Sequence, residues 1–162
     1  MVPQEELQKV EFLSNLGQQH VERLARLAQL KECPAGTVLF PEGEDSSNIY
    51  FVLSGQITLA VKGSDGEAAE VYVAQAGELL GWSPVLGRHA MTATARAATP
   101  TRLAALSVRE ITELSETYPR FGIAFFREVA RTLSDRLWAT RHRLASALGN
   151  RTPLMAEAQG SD

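Results

Sequence analysis

The chain has 162 residues and a formal net charge of -3, with 44% hydrophobic and 22% charged residues. These totals are ordinary for one folded domain and argue against a dedicated nucleic-acid binder, which is usually basic. A single cysteine, Cys33, excludes an internal disulfide, and no apolar run approaches the roughly 20 residues that cross a bilayer. We therefore expect a cytoplasmic protein with no membrane segment.

The first zone, residues 1–30, is predicted to be helical. Apolar residues recur at helical spacing from Leu7 to Leu27, and Gly17 interrupts the series. Two short amphipathic helices are therefore expected before any strand.

Residues 31–107 change to a period of two, with turn residues about every 8–12 positions. The segments PAG, EGED, SG and KGSDG separate the short runs TVLF, NIYFVL, QITLAV and AEVYVA, and further strands are expected near 91–96 and 101–106. This spacing favours an eight-stranded antiparallel barrel of the jelly-roll kind.

Residues 77–97, which we call the cassette, carry the most informative pattern of this zone. A short strand is expected to pass into a one-turn helix and return as another strand, with Gly77 and Gly81 on either side of Leu79 and Leu80. Such a loop lets backbone N–H groups converge on an anion at a helix N-terminus. The cassette nevertheless lacks the charged residues that a loop of this kind normally carries.

The helical period returns in residues 108–149. A short helix is predicted over 108–116, ending before Pro119, and a long helix over about 120–148, ended by Gly149 with Pro153 just beyond. Residues 150–162 are small and polar and are expected to form a flexible tail.

The long helix carries a heptad seam, whose apolar steps of three and four residues favour a partner helix. The first half is expected to pack on the chain's own barrel, and the half after Leu133 to pair with a second copy in a homodimer. Thr140 either sets the register or contacts something held between barrel and helix. The predicted dimer interface consists of Phe126, Ala130, Leu133, Leu137, Thr140 and Leu144.

This order of elements resembles the cyclic nucleotide-binding domain, the family that includes catabolite activator protein. The resemblance covers roughly residues 13–148 and is carried by FLSNL, AGTVLFPEGEDSSNIYFVLSGQITL, AGELLG, TATARA and RLAAL. It implies a mainly β fold with flanking helices, in which a double-stranded β-helix (jelly roll) is followed by a long C-terminal helix. It also implies a regulatory, non-enzymatic module with cyclic AMP or cyclic GMP as the candidate ligand.

Two departures from the family's cassette matter. The family's glutamate, which accepts the ribose hydroxyl, is replaced by Trp82, and its arginine, which pairs with the cyclic phosphate, is replaced by Met91. Losing the arginine fork alone would weaken binding by about tenfold to a hundredfold or more. Arg88 is a candidate to move into the vacated place, and His89 is a second candidate. Trp82 is expected either to fill the cavity or to stack on a purine or another planar ligand. The run around Trp82, GWSP, is similar to a branch of stand-alone bacterial members.

The ligand site predicted from this resemblance contains cassette residues and one residue of the long helix, which family members direct at the purine. Its members are Leu80, Gly81, Trp82, Ser83, Arg88, Met91, Thr92 and Thr140.

Two functional interpretations stay open. One is a sensor of a nucleotide or small anion with weakened or altered specificity; the other is a ligand-free interaction domain that acts through its dimer helix. A cupin-like metal enzyme is a remote third, because His89 is the barrel zone's only histidine and no HxH spacing occurs. If the chain is complete, it lacks the helix-turn-helix that would read DNA, so its output requires a protein partner.

Overall fold

The computed structural model describes residues 2–88 and 90–149. Its N-terminal part contains α1 (Gln4–Leu7), a 3-10 turn (Glu11–Leu13) and α2 (Gln18–Leu27). The predicted break is present, because Gly17 adopts φ +79 and directly precedes α2. The first predicted helix is interrupted, because Val10 is extended (ψ 114) and almost fully buried. Its burial places the following turn against the core.

Eight strands form two antiparallel sheets, which confirms the predicted jelly-roll fold class. The strands are β1 (Gln29–Cys33), β2 (Val38–Phe40), β3 (Asn48–Ser54), β4 (Ile57–Lys62), β5 (Ala68–Ala74), β6 (Leu79–Leu80), β7 (Thr94–Ala97) and β8 (Thr101–Ser107). The strand order is β1-β8-β3-β6 in one sheet and β2-β7-β4-β5 in the other. The first strand begins at Gln29, two residues before the predicted zone.

The first sheet is covered on both faces, as the continuous apolar run of β3 requires. Ile49 and Phe51 belong to a core shared with the helices, whereas Tyr50 and Val52 belong to the core between the two sheets. Successive side chains of a strand alternate between faces, so one strand supplies both cores. The helices, the first sheet and the second sheet therefore form three layers.

Two helices follow the barrel: α3 (Val108–Thr117) and α4 (Pro119–Leu148). A capping box begins α3, since Ser107 Oγ accepts from the Glu110 amide and the Glu110 carboxylate accepts from the Ser107 amide, both at 3.1 Å. Proline at the first position of α4 has no N–H that the helix would leave unpaired.

The first half of α4 packs against the core that the helices share with the first sheet. Its contacts come from Phe121, Phe125 and Val129, which are all buried. The expectation that the seam itself would cover the barrel here is wrong for Phe126, which is 40% exposed, and for Ala130, which is also exposed. The stripe that contacts the core is displaced by one residue from the heptad, which leaves the seam on another side of the helix. Within the two described ranges, no helix has both the length and the apolar character needed to cross a membrane.

Candidate functional site

The cassette links β6 to β7. Leu80 is fully buried, the chain turns at Gly81 with φ +72, and a 3-10 turn covers Ser83–Leu86. A Cβ atom on Gly81 would lie 3.2 Å from the Asn48 carbonyl oxygen and 3.4 Å from the Met91 methyl carbon. Both the positive φ and the close approach of β3 therefore favour glycine at this position.

The returning half of the cassette is fixed to the loop before β3. The Met91 amide donates to the Glu44 carbonyl at 2.9 Å, and the Gly43 amide donates to the Met91 carbonyl at 2.8 Å. The Met91 side chain is buried. Where the resemblance places an arginine, the chain therefore presents a thioether in the core between the sheets.

The space inside the cassette is small. A cavity of about 30 Å³ remains there, whereas ligand pockets usually have roughly 300–1,000 Å³. It is lined by Phe40, Leu59, Gly81, Trp82, Ser83, Met91, Thr92, Ala93 and Arg136. The last of these belongs to α4 and not to the barrel, so the long helix contributes to the wall of this cavity.

Arg136 projects from α4 onto two aromatic rings. Its guanidinium carbon lies 4.3 Å from the centroid of the Trp82 ring and 4.5 Å from that of the Tyr72 ring. Its Nη2 donates to the Leu79 carbonyl at 2.7 Å and lies 3.4 Å from a Glu78 carboxylate oxygen. Only 11% of the side chain is exposed. Both rings are within cation–π distance of the charge.

Glu78 is held in place by two further donors. The Tyr72 hydroxyl donates to one carboxylate oxygen at 2.6 Å, and the Gln75 amide donates to the other, also at 2.6 Å. Burial and the neighbouring Glu78 raise the pKa of Tyr72, so its hydroxyl stays protonated. Burial lowers the pKa of Arg136, while Tyr72 and Glu78 raise it, and an arginine remains charged throughout the range in which proteins are folded.

The structure brings part of the predicted ligand set together. Gly81, Trp82, Ser83, Met91 and Thr92 line the small cavity, and the buried Leu80 precedes them.

Two other predicted members lie apart from that cavity. Arg88 is exposed and absent from its lining, and Thr140 is exposed on α4, where its hydroxyl donates to the Arg136 carbonyl at 2.8 Å. His89 falls outside the described residues. In the part of the chain that is described, no three His, Cys, Asp or Glu side chains group closely enough to hold a metal ion.

Sequence reasoning gave no role in the site to Arg136, Tyr72 or Glu78. One signal was available, because Arg136 follows the core residue Val129 by seven positions and Phe125 by eleven. Those intervals return a side chain to nearly the same face of a helix. The face that contacts the barrel could therefore have been extended to include Arg136, although its aromatic partners depend on the paths of β5 and of the cassette.

A sequence model of the cyclic nucleotide-binding domain matches residues 30–118, more than half of the chain. The Pycsar effector protein XpPycTIR of Xanthomonas perforans is 29% identical over 131 residues, which are 80% of this chain and 40% of that protein. A solved cyclic nucleotide-binding domain of Methylobacillus flagellatus has a TM-score of 0.82 at 17% identity, covering 94% of this chain and 88% of that one. The Thermus thermophilus catabolite activator protein has a TM-score of 0.71 at 23% identity, covering 85% of this chain and 62% of that one.

At such low identity, the two structural likenesses concern the fold alone. The chain spans less than half the length of the first curated relatives that it matches. The family match nevertheless covers most of the barrel and α3, and the observed sheets and long helix agree with it. The chain belongs to the cyclic nucleotide-binding domain family.

Proposed function

We propose that this chain is a non-enzymatic, cytoplasmic regulatory module that acts through its long helix, and that its cassette does not take up a cyclic nucleotide in the conformation described above. The observation that carries this proposal is the position of Arg136. This side chain of α4 lines the small cavity inside the cassette and stacks on the Trp82 ring, which supports a coupling between the helix and the cassette.

The contents of the cassette argue in the same direction. Trp82 and Met91 stand where the resemblance implies an acid for the ribose and a base for the phosphate, and Met91 is buried. Arg88, the sequence-based substitute for that base, is exposed. The Glu78 carboxylate lies 3.4 Å from Nη2 of Arg136 and places a negative charge beside that guanidinium, which disfavours a second anion there.

The output surface is the apolar side of α4 that the barrel leaves uncovered. Ile123 is 62% exposed, Leu137 49% and Leu144 57%. Exposed apolar side chains that recur along one helix are typical of helix pairing. We infer that a second copy covers them in a homodimer, and that a further protein reads the state of this dimer.

Calorimetry with cyclic AMP and cyclic GMP tests the ligand part of the proposal. We expect no measurable heat from the wild type at nucleotide concentrations of about 1 mM. The triple variant Trp82→Glu, Met91→Arg, Arg136→Ala restores the two charged groups and empties the site, so it should gain affinity for a cyclic nucleotide. Micromolar binding by the wild type would contradict the proposal.

A second candidate function, anion sensing, is favoured by one specific observation. Among the described residues, Nε and Nη1 of the buried Arg136 have no hydrogen-bond partner. Buried donors without partners are costly, and a phosphate oxygen would satisfy them. Nucleotide binding that survives in Arg88→Ala but disappears in Arg136→Ala would favour this function. Binding that disappears in Arg88→Ala would instead favour the sequence-based assignment of the cation.

A further inference from the structure

The groups around Arg136 have the chemistry of a cation site. Two aromatic faces, a backbone carbonyl and a carboxylate converge on one guanidinium, and all four attract positive charge. A cradle for an anion would instead present N–H groups or cationic side chains. The charge preference of this cassette is therefore the reverse of the one that its loop geometry predicts.

The carboxylate does not depend on Arg136 for its position. The Tyr72 hydroxyl and the Gln75 amide each hold one oxygen of Glu78 at 2.6 Å. Tyr72 thus contributes both a ring face to the cation and a hydrogen bond to its counter-ion. Such an arrangement is pre-organised, because its acceptors stay in place whether or not a cation is present.

We propose that the cassette is a guanidinium receptor, in which Trp82, Tyr72, Glu78 and the Leu79 carbonyl recognise a planar cation, and that Arg136 is its tethered ligand. This inference rests on the proposed function, in which the cassette takes up no cyclic nucleotide, and it names the ligand class of that same site. A guanidinium group is planar and weakly hydrated, so it can stack on ring faces and donate in its own plane. An ammonium group offers a compact, strongly hydrated charge and fits less well.

The receptor fastens the distal half of α4. Beyond Val129, no apolar side chain of the described helix is buried, and Leu133 is only half-buried. The described polar contacts of this half with the barrel come from Arg136 and from Arg143, whose Nη1 donates to the Val71 carbonyl at 2.6 Å. Releasing Arg136 would therefore leave the Arg143 contact as the one described polar attachment of the distal seam to the barrel.

Guanidinium rescue of an emptied site tests the receptor. In a Trp138→Phe background Trp82 is the only tryptophan, so its fluorescence reports on the cassette. Arg136→Ala should then bind methylguanidinium saturably, with a dissociation constant of about 10 mM or tighter. Its Tm should rise with ligand, because a ligand that binds only the folded state stabilises it. The chain that retains Arg136 should show no saturation, because its own side chain occupies the site.

Matched controls separate recognition from solvent effects. Urea has the same planar shape without the charge and should give no saturation, and sodium chloride keeps the ionic strength constant. Methylguanidinium binding should weaken at least about tenfold when Trp82→Leu is added to Arg136→Ala, with Tm as the readout. It should weaken as much when Glu78→Gln is added instead, with fluorescence as the readout. The proposal is overturned if folded Arg136→Ala shows no saturable response, or responds equally to urea.

A second measurement does not depend on the emptied variant. Arg136→Lys keeps the charge but loses the planar stack, so amide hydrogen exchange in residues 137–148 should be at least about fivefold faster than in the wild type. Unchanged exchange would overturn the fastening role. The nucleotide calorimetry above is independent of both tests, so the regulatory proposal and the guanidinium receptor can fail separately.

Discussion

His20 packs beside the start of α4, where its ring centroid lies 5.4 Å from that of Phe121. Burial, followed by the neighbouring Arg23, lowers the pKa of His20. The unfolded chain, with a His pKa of about 6.5, therefore binds a proton at a pH where the folded protein does not. The contribution of the neutral His20 ring to the free energy of unfolding is fully present above the unfolded pKa of about 6.5. It is lost as the pH falls through the lowered pKa of the folded state.

We predict from this that Tm falls from pH 7.5 to pH 5.5 and that His20→Leu makes the fall smaller. Thermal melts across this range measure the slope. His142→Gln is the comparison variant, because it removes a histidine from the exposed end of α4 instead of from beside the packed start of that helix. An unchanged slope in His20→Leu would show that other groups cause the pH dependence.

Among the glycines that the structure describes, Gly55 has the least space around it. It adopts φ +86, and an added Cβ atom would lie 2.5 Å from the Pro100 carbonyl oxygen and 2.8 Å from the Thr101 Cα. Gly55→Ala should therefore combine backbone strain with a backbone clash and lower the free energy of unfolding by about 2–4 kcal/mol. Gly66 has φ +83 and open space, so Gly66→Ala should cost only about 1–2 kcal/mol. Urea unfolding compares the two, and equal losses would refute the clash.

The spacing of the apolar residues and the positions of the turn residues predicted the order of helices and strands well. The strand, one-turn helix and strand expected in the cassette are present as β6, the 3-10 turn and β7. The interruption after α1 was missed because Val10 is drawn into the core by tertiary packing, which overrides helical propensity.

The candidate site was less predictable than the fold. The turn at Gly81 follows from local chemistry, so sequence reasoning could place it. The contact of Arg136 with Tyr72 and Trp82 depends instead on how α4 crosses the barrel, which the helical period leaves open. The residue type alone also does not distinguish an arginine that faces the barrel from one that faces solvent.

The capping box of α3 gives a prediction about one element. Ser107→Ala removes the acceptor for the Glu110 amide and should lower the free energy of unfolding by about 1 kcal/mol. Ser134→Ala, on the exposed surface of α4, should be neutral or slightly stabilising because alanine favours the helix interior. Chemical denaturation measures both, and equal effects would mean that the cap contributes nothing.

Helix α4 presents two apolar sides that have different roles. Phe121, Phe125, Val129 and Arg136 face the barrel, whereas Ile123, Phe126, Leu137 and Leu144 stay exposed on a different side. An amphipathic helix normally buries its apolar stripe once, but this one has a second stripe that the described residues of its own chain leave uncovered. A second copy of α4 carries the same stripe, and a two-fold axis would bring the two stripes together.

We therefore predict a homodimer that depends on the exposed stripe. Leu137→Asp places one carboxylate per chain in that interface, and the resulting desolvation should weaken dimerisation by at least about 100-fold. Sedimentation velocity over a range of concentrations should show dimers for the wild type and monomers for the variant. Leu86→Asp is the matched control, because Leu86 is 48% exposed, close to the 49% of Leu137, but lies on the cassette turn. A wild type that sediments as a monomer, or a Leu137→Asp variant that stays dimeric, would place the regulatory surface elsewhere.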